Sequence, residues 1–266
     1  MFVLLLPIVG MQLSFLGWAG LGHELAHGTV FKKKALNRLL FIVFSILNWS
    51  NFNYYWRSHA AHHKYTLFKT FDGEVKPSAE LNIPQLVGSL SFDVPYLWRS
   101  VRILMENAVG SIKGDWGKFL FPKDSLEREK VTKGAQIVLG AHLALILLFL
   151  VSQNISLLFL ISFGPFFFTF PNKVLSLSQH YDKEVDNLDF RCNSRSISLP
   201  RFLRFLYANM NYHVEHHMYP AIPFYNLPLL NRELSQNFYL DPQPSLFAFL
   251  RKVFWRRRSK SILGKA

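Results

Sequence analysis

The sequence of 266 residues predicts an all-α integral membrane protein. About three transmembrane helices are expected, with interfacial helices beside them and a cytoplasmic helical cap that carries clustered histidines. Half of the chain is hydrophobic, with 26 Phe, while only 18% is charged. Three stretches, 2–21, 134–152 and 155–175, approach the roughly 20 apolar residues that a helix needs to cross a bilayer. A mean hydropathy of +0.13 is low for a chain lying wholly in lipid and high for a soluble enzyme, so apolar spans are joined to substantial polar portions. Helix is expected throughout, because a span must satisfy its own backbone and no strand-like alternation is sustained.

The first stretch lacks the basic start and small-residue cleavage site of a secretory signal and runs straight into histidine-rich sequence, so it is expected to be retained. The run 36–49 carries Asn37, Arg38 and Asn48 and is short for a span, which places it in the interface or as a re-entrant helix. Segment 72–84, rich in Pro, Gly and charge, reads as a loop. Only Gln153 and Asn154 separate the second and third apolar stretches, so a tight helical hairpin is expected across the membrane. With no internal repeat and no low-complexity linker, 1–266 reads as a single domain.

Lys and Arg outnumber Asp and Glu by 30 to 17. None of the basic residues lies in 1–21, 16 lie in 22–133, one (Lys173) in 134–175 and 13 in 176–266. The positive-inside rule therefore puts 22–133 and 176–266 on the cytoplasmic side. Topology and anionic lipid account for the basic excess, the Arg256-Arg257-Arg258 run included, and nucleic acid is not an expected partner. One cysteine excludes both a disulfide framework and a Cys-ligated zinc or iron–sulfur centre, so any metal is left to His or carboxylate.

Eight of the ten histidines fall in three clusters: His23 and His27 in HELAH, His59, His62 and His63 in HAAHH, and His213, His216 and His217 in HVEHH. On a helix, residues four apart share a face, so His23 and His27 can address one ion. An adjacent pair diverges by about 100° around the axis, so neighbouring imidazoles can serve two ions. Eight imidazoles are twice what one four-coordinate ion takes, so two metals are expected, and imidazole alone does not choose among Zn, Fe, Cu and Ni. All three clusters lie in the segments assigned to the cytoplasmic side. His142, inside an apolar stretch, is read as hydrogen-bonded within the bundle.

In these clusters and their flanks, WRSHAAHHKYT and NYHVEHHMYPAIPFYNLP, the sequence resembles the membrane fatty acid desaturase family, over nearly the whole chain. The resemblance implies a non-haem centre of two irons, O2 as co-substrate and removal of hydrogens from an unactivated fatty acyl chain. It also implies a further histidine between the last span and the third box, for which His180 is the candidate. The three expected spans depart from the four of the family, so the chain is either a short member or part of a longer frame. Family members have two spans ahead of the second box, whereas one precedes the first box here. Glu24, Glu215, Asp182, Glu184, Asn209 and Asn211 are candidates to orient the ligands, and Trp56 and Arg57 to anchor the second box.

Reducing O2 to two waters during one desaturation takes two electrons beyond those of the substrate. The sequence has no haem-attachment motif and no nucleotide-binding glycine loop, so an external donor is expected, a ferredoxin or a b-type haem protein. Two other readings fit the same residues. One is a hydroxylase or ketolase of an alkyl, acyl or carotenoid substrate, and the other is a non-catalytic membrane metal-binding or transport protein. Transporters place their ion sites near the midplane, whereas these clusters lie beside the spans.

Overall fold

The computed structural model describes residues 2–17, 19–75, 83–237, 240 and 242–263, and side chains only within 5–255. The side chains of Arg256, Arg257 and Arg258 and part of the expected 72–84 loop lie outside the described residues. Among the described residues there are helices, turns and two isolated bridges, Phe92 with Phe167 and Ser198 with Ser245, and no strand. The fold is all-α, as the sequence predicts.

The chain opens with α1 (Phe2–Leu16) and, after a break, α2 (Leu21–His27), which carries the first histidine box. Then come α3 (Lys34–Leu47), α4 (Phe52–Tyr65) with the second box, α5 (Ile83–Gly88), α6 (Val94–Ala108), α7 (Asp115–Leu120) and the long α8 (Leu126–Val151). Two stretches among the described residues are long and apolar enough to cross a membrane, Leu5–His27 and Leu126–Val151. At about 1.5 Å per residue, α8 is roughly 39 Å long, against about 30 Å of hydrocarbon. Its inner stripe, Val131, Ala135, Val138 and His142, is buried, while Leu143, Leu147, Leu148 and Val151 are exposed, as suits lipid on one side and protein on the other.

The expected third spanning helix over 155–175 is not one helix. A single turn, α9 (Ile155–Leu157), passes into a π-helical turn at Leu158–Ser162 and a 3-10 turn at Gly164–Phe166, and α10 (Phe170–His180) starts afresh. Pro165 and Pro171 have no N–H to give and crowd the preceding turn, so the helix breaks before each. The freed backbone groups find tertiary partners. The Ser162 carbonyl accepts from the Trp49 indole at 2.6 Å, the Phe166 carbonyl from the Asp93 amide at 2.8 Å, and the Ser91 carbonyl from the Phe168 amide at 2.8 Å. Irregular backbone is tolerated in an apolar setting when protein buries it in this way. Lys173, charged within this stretch, pairs with buried Asp93. At Gly10, α1 meets the broken segment at backbone distance: a Cβ there would lie 2.3 Å from the Phe167 carbonyl oxygen.

The 14 residues of α3 span about 21 Å, short of a bilayer core. It runs against α4, with Arg38 Nη2 donating to Asn53 Oδ1 at 3.1 Å. Asn37, polar within an apolar helix, is buried because its amide takes the Phe31 N–H and donates to the Phe31 carbonyl. Asn51 caps α4 by accepting from the Asn53 and Tyr54 amides, and its own amide donates to the Val131 carbonyl at 2.8 Å, which fixes the second box against α8. His142 sits where the bundle reading expects it, its Nε2 donating to the Ile46 carbonyl at 2.7 Å and its ring stacked on Trp49.

Beyond α10, short helices α11 (Phe190–Asn193), α12 (Arg201–Leu206) and α13 (His213–Met218) lead to α14 (Leu227–Gln236) and α15 (Leu246–Leu263). A core of Phe15, Leu175, Ile197, Tyr207, Met210 and Leu227 joins α1 to this part and seats α13, which carries the third box, opposite α2 and α4.

Candidate metal centre

The nine histidines singled out from the sequence converge in two sets. His23, His27, His59, His63 and His216 form one, and His62, His180, His213 and His217 the other, and within each set the donor nitrogens lie within 4.8 Å of one another. The helix geometry assigns them. In α4, His59 and His63 are four apart and share the first set, while His62, turned away by about 100°, joins the second. In α13 the roles reverse: His213 and His217 enter the second set and His216 the first. His180, at the end of α10, completes the second set.

In the first set the Nε2 atoms of His23 and His216 are 2.8 Å apart, those of His59 and His23 3.0 Å, His59 and His27 3.1 Å, His63 and His59 3.0 Å, and His216 and His63 3.1 Å. In the second set, Nε2 of His213 lies 2.8 Å from that of His180 and 3.0 Å from that of His217. Two nitrogens each about 2.1 Å from one ion stand roughly 3.0 Å apart at a right angle and about 3.4 Å apart at the tetrahedral angle, so the spacing fits a shared cation.

For His59, His62, His180 and His217 the other ring nitrogen explains why Nε2 presents a lone pair. His59 Nδ1 meets Glu74 Oε1 at 2.8 Å, His62 Nδ1 meets Asp72 Oδ2 at 2.9 Å, and His180 Nδ1 meets the Asn193 carbonyl at 3.0 Å. His216 Nδ1 only faces Glu24 Oε1, at 3.3 Å and without a hydrogen bond. Thr66 Oγ1 gives its proton to the His62 carbonyl, so it accepts from His217 Nδ1 at 3.1 Å. An imidazole whose Nδ1 donates has a bare lone pair at Nε2, and several such lone pairs aimed at one point repel unless a cation lies between them. The donor set therefore fits two metal ions. Carboxylate and carbonyl partners of this kind fix the tautomer and raise ligand basicity.

Electrostatics point the same way. Burial, reinforced by neighbouring histidines, holds His59, His63, His213, His216 and His217 well below the ordinary imidazole value, and burial lowers His180 to about 3. These rings are neutral at pH 7, the form that binds metal. Burial pulls His62 down as well, but the hydrogen bond and charge of Asp72 outweigh it and leave it raised.

Of the orienting candidates, Glu24 is fully buried and bridges the first and third boxes: Oε2 accepts from Thr29 and from the Phe224 amide while Oε1 faces His216. Glu215 is buried but holds Ser196, Asn231 and Gln243 rather than a histidine. Asn209 and Asn211 brace the third-box loop through the Phe224 and Ile197 carbonyls. Glu184 accepts from Asn187 in a surface loop, and Asp182 turns the chain just beyond α10 with φ at 57°. Trp56 is exposed and Arg57 faces Glu127 at 3.8 Å. Sequence reasoning missed Asp72, Glu74, Thr66 and the Asn193 carbonyl. The one available signal was the pair of acids in Asp72-Gly73-Glu74, in a chain poor in acids and just past the second box.

Fold and site together define a class, a helical protein whose apolar helices carry a buried double set of histidines. The sequence profile of the fatty acid desaturase family matches residues 1–247, and the chain belongs to that family. Over 53 residues it is 43% identical to a sphingolipid delta(4)-desaturase/C4-monooxygenase of Homo sapiens, a match that covers 20% of this chain and 16% of that protein.

Proposed function

We propose that the protein is an integral membrane oxidoreductase that introduces a double bond into a fatty acyl chain at the expense of O2. The observation that carries this reading is the division of nine imidazoles into two convergent sets, five and four, with His59, His62, His180 and His217 tied through Nδ1 to a carboxylate, a carbonyl or a hydroxyl. His23, His27, His59, His63 and His216 would hold one iron, and His62, His180, His213 and His217 the other. Iron bound there supplies activation of O2 and removal of hydrogen from an unactivated methylene, which no side chain of this protein can do.

The rest is positioning. Glu74, Asp72 and Thr66 keep Nδ1 of their histidines oriented, and Glu24 stands beside that of His216, so these lone pairs are fixed before metal arrives. A cavity of about 380 Å³ reaches His23, His59, His62, His180 and His213, with Ala19, Tyr55, Tyr96 and Leu177 among its walls, and gives an acyl methylene a place beside both sets. Placement of this kind lowers a barrier by holding reactants at contact distance, and burial keeps bulk water out. The histidine sets lie on the cytoplasmic side of a multi-pass chain that forms one domain over 1–266. The remaining two electrons come from a ferredoxin or a b-type haem protein that docks on the basic face.

A second reading, hydroxylation at the same centre, is favoured by the relative whose name joins a desaturase to a monooxygenase. Expression in a host of simple lipid composition, followed by mass spectrometry of total fatty acids, separates the two. Desaturation gives species lighter by two hydrogens, with the double bond at one position. Products heavier by one oxygen, with no new unsaturation, would replace the first reading by the second.

A further inference from the structure

The chamber beside the histidines does not end there. Asn48, Glu74 and Tyr96 line it and also line a second cavity of about 650 Å³, so the two adjoin along a common wall. Glu74 in that wall is the acceptor of His59 Nδ1, which puts the junction one side chain from the first histidine set. Both volumes fall in the range of ordinary ligand pockets, about 300–1,000 Å³.

The larger cavity also has a basic wall. Arg99, Arg102 and Lys113 line it, with Glu106 as the acid there. Glu106 is taken by Lys113 at 2.8 Å, which leaves Arg99 and Arg102 without a carboxylate partner among the described residues. The two arginines are three apart on α6 and so sit one above the other on one face, both exposed. Around the helix from them, Val94, Trp98, Met105 and Val109 are also exposed, an apolar flank with a tryptophan as expected where a helix meets a lipid surface. Two guanidinium groups one turn apart match a phosphate, whose oxygens take paired N–H donors, better than they match a neutral hydroxyl or amide.

We propose that the substrate is an acyl lipid with a phosphate-bearing head group, the phosphate on Arg99 and Arg102 and the chain passing Tyr96 into the histidine chamber. This rests on the reading of the histidine sets as a lipid-oxidising centre and specifies which lipid it takes. The membrane supplies the lipid, since the arginines open beside an apolar flank. A soluble acyl thioester that carries a phosphorylated cofactor has the same chemistry and is the competing source.

The test measures binding to purified, iron-loaded protein in detergent of three ligands with one acyl chain in common: lysophosphatidate, monoacylglycerol and acyl-coenzyme A. Lysophosphatidate should bind at least about tenfold more tightly than monoacylglycerol. The double variant Arg99→Gln/Arg102→Gln should remove that advantage without changing iron content or monoacylglycerol binding. A control of equal charge loss, Arg201→Gln/Arg232→Gln, should leave it intact. Equal binding of the phosphate-bearing and neutral lipids, or equal effects of the two double variants, overturns the proposal. Tighter binding of the thioester than of lysophosphatidate overturns the membrane as its source. Absence of any oxidised product while the arginine-dependent difference persists would sink the proposed function and leave the phosphate site standing.

Discussion

The two histidine sets are built from the same boxes but are not equivalent. The first has five imidazoles: His59 Nδ1 is held by the partly buried carboxylate of Glu74, His216 Nδ1 faces buried Glu24 at 3.3 Å without a hydrogen bond, and His63 Nδ1 has no hydrogen-bond partner among the described residues. The second has four and mixes its support: a carboxylate for His62, a backbone carbonyl for His180, a hydroxyl for His217, and no partner among the described residues for His213 Nδ1. The first set has one donor beyond tetrahedral need, whereas the second has none. Loss of a ligand should therefore be felt unequally.

The largest expected effect breaks this asymmetry directly. His180→Ala leaves three imidazoles in the second set, while His27→Ala leaves four in the first. Iron analysis of purified protein should give close to two ions per chain for the parent, close to one for His180→Ala, and an intermediate value for His27→Ala. Turnover should be lost in His180→Ala and reduced about a hundredfold or less in His27→Ala. Equal iron in both variants would mean that the sets are not two separate sites.

The next effect sharpens the comparison through the outer nitrogens. Asp72→Asn and Glu74→Gln replace carboxylates with amides of the same shape, and partners of this kind are worth about 10–100-fold in metal affinity or activity. Thr66→Val removes a single hydroxyl acceptor from His217 and should cost less, about tenfold or below. Competition against a chelator, set by set, measures this order, and a Thr66→Val loss larger than that of Asp72→Asn would reverse it.

The contrast between sets also shows what the sequence could and could not reveal. The ligand histidines were legible because spacings of three and four are a local property of a helix, and so was the splitting of His62 from His63 between sets. Which set His216 joins was not legible, because that depends on α13 meeting α2 and α4 from nearly 200 residues away. Asp72 and Glu74 escaped because they orient histidines across a loop rather than along a helix. Glu215 drew suspicion only by lying within a box, and it faces the opposite way. The 155–175 stretch misled for a related reason. Hydropathy weighs Phe163, Phe166 and Phe167 alike in a helix or in an irregular buried segment, and the partners that make the irregular form tolerable, Trp49, Ser91 and Asp93, lie far away in sequence.

That break gives a further prediction about how the first set is held. At Gly10, α1 touches the Phe167 backbone, and α1 is the element that precedes the helix carrying His23 and His27. Gly10→Leu cannot fit without separating α1 from the broken segment, so the first box should shift while the second set, tied to α10 and α13, keeps its geometry. Iron retention should fall toward one ion per chain and thermal inactivation should begin several degrees lower. An unchanged iron content would show that α2 is positioned without α1.

The smallest expected effect separates the two box glutamates. Glu24 and Glu215 are both fully buried, each next to a ligand histidine in sequence, yet only Glu24 reaches an imidazole. Burial raises the carboxyl of Glu215, with the hydrogen bonds from Ser196, Asn231 and Gln243 opposing it. Glu215→Gln should therefore leave iron content unchanged and turnover within about twofold. One amide group would now face donors where an oxygen accepted them, a cost of about 1–3 kcal/mol for an imperfectly paired buried polar group. A lower thermal midpoint at constant iron is the signature of that role. In Glu24→Gln the order should invert, with iron affinity and turnover falling before stability does. Loss of iron in Glu215→Gln at unchanged stability would place Glu215 among the residues that orient the ligands.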